Sequence, residues 1–435
     1  MDKACPYSHR KAASFEETLY FFGRMTRTRT LRLGFAALFT LFVTAAANAQ
    51  GSSQCNAAMS APVSYVQLPG HPFSTVSSPD GCWLFVTLTS SNPRSSNGVA
   101  LLSRSRGQIT LKKVFQVEAG PTGMTITHDG KTLILADDEY VVFMDTARMI
   151  ADRGDPILGY IRDANFAGSV YVNTTPDDKF VFVSDENVGT ITVIDLQRAR
   201  AEGFKETAIV GKIPTGDAPI ALTFSPDGRW LYTTSEIAPE SFKWPVECKP
   251  EGEDPAKAQP RYPQGAIIVV DVQKAETDPA HSAVAQVPAG CSPVRMGITP
   301  DGTRVFVTAR NNNALLAFDT AKLRTGAADA RVGTVPVGSS PVGLAVVNGG
   351  RQVVVTNSNR FARDQTARQN LTVIDAARVG EGQAAVMGSV PAGIFPREFG
   401  HSPDGQTLYV ANYLSNELEV IDLKRLPVQS APAAR

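Results

Sequence analysis

The sequence predicts an all-β chain: a seven-bladed β-propeller of four-stranded antiparallel blades, closed by an N-terminal strand that completes the last blade. Three observations carry this reading. A self-similar unit recurs along residues 62–424, each unit holds four short β-rich runs separated by turn residues, and the first and last units are incomplete in complementary ways.

The unit begins with Pro, reaches Pro-Asp-Gly seven residues later, and continues through an apolar strand to a strand ending in Asp. The clearest copies run from Pro219 to Pro226-Asp227-Gly228, from Pro293 to Pro300-Asp301-Gly302, and from Pro396 to Pro403-Asp404-Gly405. Weaker copies fill the other places: Pro72 to Pro79-Asp80-Gly81, Pro121 to His128-Asp129-Gly130, Ser169 to Pro176-Asp177-Asp178, and Pro341 to Asn348-Gly349-Gly350. Asp-Gly between two strands is expected to supply the positive φ angles of a tight hairpin. The third strand ends in Asp195, Asp271, Asp375 or Asp422, and helical periodicity is nearly absent. An open stack of such sheets would leave exposed end faces, which a closed ring removes.

The first complete unit starts at Pro72, but the preceding run from Pro62 to Gly70 reads as a fourth strand, and the last unit stops at Asp422 after its third. The N-terminal strand should therefore complete the seventh blade. An insertion of about 236–264 interrupts the second-to-third-strand connection of blade 4 and carries Cys248. Cys291 sits where the chain enters the next blade, on the same face, so Cys248 is expected to pair with Cys291. Cys55 precedes the closing strand and Cys82 lies in the first hairpin of blade 1, both on the opposite face, which makes them the second pair.

Residues 1–49 read as a leader and signal peptide, with Met25 as an alternative start. Arg27, Arg29 and Arg32 precede an apolar stretch from Leu33 to Val43, and Ala47-Asn48-Ala49 fits a cleavage site. The apolar stretch is too short for an ordinary membrane span, so no span is expected in the mature chain. The product would be periplasmic or extracellular, with tails at 50–61 and 425–435, and the even cysteine count of the mature part suits an oxidising compartment. Lys plus Arg and Asp plus Glu both total 42, so no global field draws nucleic acid or an anionic membrane.

The repeats, with Leu408-Tyr409-Val410-Ala411-Asn412, the Val-Ile-Asp endings and the Ile/Val-Pro-x-Gly strands, resemble the YVTN-type β-propeller repeat family and the related lactonase-like seven-bladed propellers. The resemblance implies the fold over roughly residues 62–424. For function it implies a range, from surface-layer proteins and binding scaffolds to lactone-cleaving enzymes.

Ser74, Gly123, Tyr171, Ala221, Arg295, Gly343 and Glu398 occupy equivalent places near the channel mouth. Small residues suit that crowding, so Tyr171, Arg295 and Glu398 stand out, and Arg397 adds a charge beside Glu398. Arg295 and Glu398, with His71 entering the first blade, are the catalytic candidates, as an anion clamp and proton-handling groups. Asp185, Glu186, Arg310, Asn311 and Asn412 in the second-to-third-strand loops, with Tyr171, Arg397 and Trp244, are the ligand-binding candidates. The acidic loops could offer oxygen ligands to a divalent cation, but they match no metal-loop spacing, and no metal or cofactor is predicted. No serine-hydrolase elbow, zinc-peptidase motif or phosphate loop is present in a suitable context.

The leading expectation is an exported binding or scaffold propeller that recognises a protein, glycan or small ligand on the face bearing the blade-four insertion. A lactonase-like hydrolase with its site at the central channel mouth is one alternative. A subunit of a periplasmic dehydrogenase, which would need a cofactor-bearing partner, is the other.

Overall fold

The structure, a computed structural model, describes residues 54–426 except 58, 90–95, 118 and 255. The leader, the cleavage site and residues 427–435 lie outside the described residues. Seven antiparallel sheets follow one another in chain order, from blade 1, which opens with Pro72–Ser77, to blade 7, which opens with Pro396–His401. The fourth strand of blade 7 is Val63–Gln67, paired with Glu417–Asp422 so that Tyr65 faces Glu419. Blades 1 and 7 also touch across their seam: Ser77 Oγ donates to the His401 carbonyl at 2.8 Å, and the buried Arg104 donates to the Tyr409 hydroxyl at 2.9 Å.

The repeated turn works differently from a two-residue hairpin. Gly81, Gly130, Gly228, Gly302 and Gly405 have positive φ, whereas the preceding aspartates do not. In blade 1 the Gly81 N–H donates to the Ser78 carbonyl, forming a turn with Pro79 in its second place and a left-handed Gly after it. Asp80 meanwhile accepts from the Cys82 N–H at 2.9 Å and from the Ser78 hydroxyl at 2.5 Å. The Asp thus satisfies the turn's donors, and only the Gly supplies the unusual backbone conformation.

The strand-ending aspartates cap short helical segments that the sequence reading did not contain. Asp145, Asp195, Asp271 and Asp319 each accept from the backbone N–H three residues on, at 3.0, 2.8, 3.1 and 3.0 Å. These helices run four to seven residues, as in Val272–Ala275 and Leu196–Glu202, too short to leave an amphipathic period. Apolar clusters lie between neighbouring blades; Phe306 and Leu315 of blade 5 pack with Val353 and Ile374 of blade 6.

Both disulfides form as expected, Cys55 with Cys82 and Cys248 with Cys291. Between Trp230–Ile237 and Ala266–Asp271 the insertion folds into the turn Glu240–Phe242 and a small hairpin of Val246–Cys248 with Tyr262–Pro263. Its tip docks on blade 5 through Cys291, through Glu251 on Arg310, and through the Asn311 amide on the Lys249 carbonyl. Replacing Cys248 and Cys291 together with serine is expected to lower stability by about 2–4 kcal/mol and to expose the hairpin to proteolysis. Urea denaturation and mapping of the first protease cuts check both effects.

Candidate functional site

A bulge and a threonine clasp place the channel-mouth residues. In blade 5 the register between Pro293–Ile298 and Arg304–Ala309 shifts between Pro293 and Met296. The freed Arg295 N–H donates instead to the Thr308 hydroxyl at 3.1 Å, and that hydroxyl donates onward to the Val342 carbonyl of blade 6 at 2.7 Å. Thr87 and Thr234 repeat the arrangement, tying blade 1 to blade 2 and blade 4 to blade 5. A bulge re-aims the side chains beside it. This is how the inner strands turn one residue per blade into the channel.

Tyr171, Arg295 and Glu398, the three residues that break the small-residue pattern, meet there from blades 3, 5 and 7. Arg295 and Glu398 are both 4% exposed and form a buried ion pair through Arg295 Nε and Glu398 Oε2. The Arg295 guanidinium lies 4.5 Å from the Tyr171 ring centre. Burial, reinforced by the Glu398 charge, pushes the Tyr171 phenol upward, so it stays protonated. A Cβ at Gly123 would come within 2.6 Å of the Tyr171 ring, which explains the small residue in blade 2.

Above this pair is a cavity of about 200 Å³. Its apolar wall comes from Val170, Ile220, Val294 and Val342, and its charged wall from Arg295, Arg310, Arg360, Arg397, Glu186 and Glu236. Arg310 is neutralised twice, by Glu236 and by Glu251 of the insertion, each at 2.6 Å. Arg397 and Arg360 differ: among the described residues neither makes an ion pair, and Arg397 Nε is buried without a hydrogen bond. Arg397 occupies the place that Val170, Val294 and Val342 hold in other blades. It stacks instead on aromatic rings, 3.9 Å from the Phe73 centre and 5.5 Å from that of Tyr413.

Burial first, then the nearby Arg295 and Arg360 charges, push Arg397 down to about 9. A guanidinium holds its proton in proteins, so the physical content of that shift is the cost of an unneutralised cation. Glu186 sits part-exposed on the rim and adds a hydrogen-bond acceptor to a site otherwise rich in donors.

The other sequence candidates are placed as follows. Asn311 faces the insertion, and Trp244 packs against Phe242 at 5.0 Å beneath it. His71 stacks on Tyr413 at 4.8 Å, and its Nδ1 lies 2.5 Å from the Asn416 amide oxygen and 3.0 Å from the Tyr413 carbonyl. Two candidates do not reach the mouth. Asp185 is fully buried inside blade 3 beside Asp163, Thr192 and Lys212, and Asn412 is fully buried inside blade 7 against Glu419 at 2.9 Å. Both stand at strand ends, where the side chain turns into the blade rather than the loop. Arg360 was not separable in sequence from the Asn-rich loop that carries it; at Arg397 the departure from an apolar place is the readable signal. Among the described residues no group of three or more His, Cys, Asp or Glu side chains could hold a metal ion. Nor is any helix among them long and apolar enough to cross a membrane.

The fold is that of a seven-bladed β-propeller of four-stranded antiparallel blades. The family model described as "Lactonase, 7-bladed beta-propeller" matches residues 169–360, which span blades 3 to 5 and the first half of blade 6. Among solved structures, the chain is similar to Kuenenia stuttgartiensis hydrazine synthase, at 20% identity and a TM-score of 0.61 over 84% of this chain and 97% of that one. It is also similar to a chain in the crystal structure of a mitotic checkpoint complex, at 14% identity and a TM-score of 0.59 over 91% of this chain and 99% of the other. At these identities both likenesses concern the fold. No curated protein sequence matches the chain.

Proposed function

We propose that the chain is an exported binding propeller that captures a small carboxylate-bearing ligand in the channel-mouth cavity. The observation that carries this is the pair of arginines, Arg397 and Arg360, that face one cavity without a carboxylate partner. A carboxylate between them would gain charge-assisted hydrogen bonds in a site backed by aromatic rings. Glu186 on the rim would accept from a hydroxyl of the same ligand, so hydroxy acids suit the site better than simple acids. The cavity, about 200 Å³, suits a small ligand. The two disulfides are consistent with an oxidising compartment.

Gluconate, citrate and acetate serve as probes in calorimetric titrations of the mature chain. The hydroxy acids should bind more tightly than acetate, and Arg397→Met should weaken binding by about tenfold or more, the worth of one charge-assisted hydrogen bond. Equal, weak binding of all three by both proteins would sink the proposal.

A second reading, lactone hydrolysis, is favoured by the family match over residues 169–360. In it Arg397 would hold the lactone carbonyl oxygen, and Glu398 would take a proton from the attacking water. Glu398 reaches water only if Arg295 releases it, because the pair is buried. A chemically varied lactone panel decides: turnover by the native chain that Glu398→Gln abolishes in a folded protein would replace binding by catalysis.

A further inference from the structure

We infer that the cleft between the disulfide-tethered hairpin and the loops of blades 5 and 6 is a second binding site, for a neutral oligosaccharide. The cleft measures about 520 Å³, within the ~300–1,000 Å³ range of ligand pockets. Its walls are held in place from both sides. The Cys248–Cys291 disulfide, the Arg310–Glu251 ion pair and the 2.5 Å hydrogen bond from Asn311 to the Lys249 carbonyl fix the hairpin over blade 5.

The lining supplies oriented amide donors. Asn312 uses its side-chain oxygen to accept from the Cys291 N–H at 2.6 Å, and Asn313 uses its own to accept from the Ser340 N–H at 2.8 Å. Each oxygen is therefore committed and each amide orientation settled. The two NH2 groups make no side-chain hydrogen bond among the described residues and remain as fixed donors along the cleft. Ser339 and Asn359 add further hydrogen-bonding groups opposite them.

Phe361 supplies the apolar face. Its ring is 41% exposed in the cleft, backed by the Arg360 guanidinium at 5.1 Å. The hairpin meets it at Gly252, where an added Cβ would stand 3.3 Å from the ring. A fixed aromatic ring next to oriented amides is the chemistry that takes a sugar ring, apolar on its face and hydroxylated on its edge.

The charges select against anions. Glu251 is tied to Arg310, Glu253 to Arg261 at 3.1 Å, and Glu247 to the Gln264 amide at 2.7 Å. An acidic glycan would meet three carboxylates, while the unpaired Arg360 guanidinium lies behind the Phe361 ring and lines the channel-mouth cavity instead, so an uncharged ligand is favoured. The site does not depend on the carboxylate reading of the channel mouth.

Cellotetraose, chitotetraose, maltotetraose and, as the acidic arm, tetragalacturonate are titrated into the full mature chain by calorimetry. At least one neutral sugar should bind. Phe361→Ala, an exposed loop change that leaves the fold intact by circular dichroism, should weaken that binding about tenfold. Arg397→Met, which lies in the other cavity, should leave it unchanged. Failure of every neutral sugar to bind, preference for tetragalacturonate, or neutral-sugar binding that survives Phe361→Ala would each overturn the inference. Loss of hydroxy-acid binding at the mouth would not, so the two proposals fail separately.

Discussion

Replacing Arg295 with methionine should destabilise the protein by about 3–5 kcal/mol, the cost of leaving a buried charge without its partner. The side chain is 4% exposed, as is that of Glu398, and the ion pair between them is the carboxylate's main compensation. The other contact of Glu398 is its own neighbour's backbone, the Phe399 N–H at 3.2 Å. Methionine fills much of the arginine's volume against Tyr171, so the loss arises from electrostatics rather than from a cavity. Changing Glu398 to glutamine in the same chain should restore most of the stability, because a neutral amide carries no stranded charge. Urea unfolding of the two single variants and the double variant, read as a mutant cycle, gives the coupling directly. A neutral outcome for Arg295→Met would mean that water reaches and solvates the Glu398 carboxylate without Arg295, as a general base requires, and would favour the hydrolase reading.

The ring was legible in the sequence because its framework is written in turn chemistry. Pro-Asp-Gly recurs at a fixed offset since a left-handed residue and a donor-satisfying aspartate serve most first hairpins, the left-handed place falling to Asp178 in blade 3 and to glycine in the others. The disulfides were legible for a related reason: once the strands are assigned, the topology decides which face each cysteine occupies. The departures at Tyr171, Arg295 and Glu398 were readable against a small-residue pattern, and the structure brings all three together.

What was not legible follows from local geometry. Thr308 looks like any β-branched strand residue, yet its hydroxyl replaces a ladder bond lost at the bulge and reaches the next blade. Asp185 and Asn412 read as loop residues because they precede turns, but strand alternation sends their side chains into the blades. Arg360 gains meaning only from Arg397, a distant residue that faces the same cavity. Contacts between blades are set by ring closure, which no local pattern records.

Those blade-interior acids give the second large effect: the protein should be less stable at pH 9 than at pH 5. Burial, followed by the hydrogen bond and charge of Asp163, pushes Asp185 up to about 8. Burial likewise pushes Glu419 up to about 7. Each group prefers its proton in the folded state. The stability it contributes is fully present below the carboxyl's unfolded pKa and is lost as pH rises through the folded one. The loss therefore spreads from about pH 4 to pH 8, and Lys212, held 2.6 Å from Asp163 and 3.0 Å from Asp185, limits it by compensating one charge. A net fall on the order of 2–4 kcal/mol between pH 5 and pH 9 is expected, measured as the urea midpoint against pH. Asp185→Asn should flatten the profile and exceed the native chain in stability at pH 9, since an amide can donate to Asp163 as the protonated acid does. Surface aspartates such as Asp227 and Asp301, held below the usual carboxylate range by their turn hydrogen bonds, act in the opposite sense and only on the acid side of pH 4. The maximum should consequently lie near pH 5. A profile that rises toward pH 9 would show that Asp185 is already ionised at neutral pH in the folded chain, held so by Lys212.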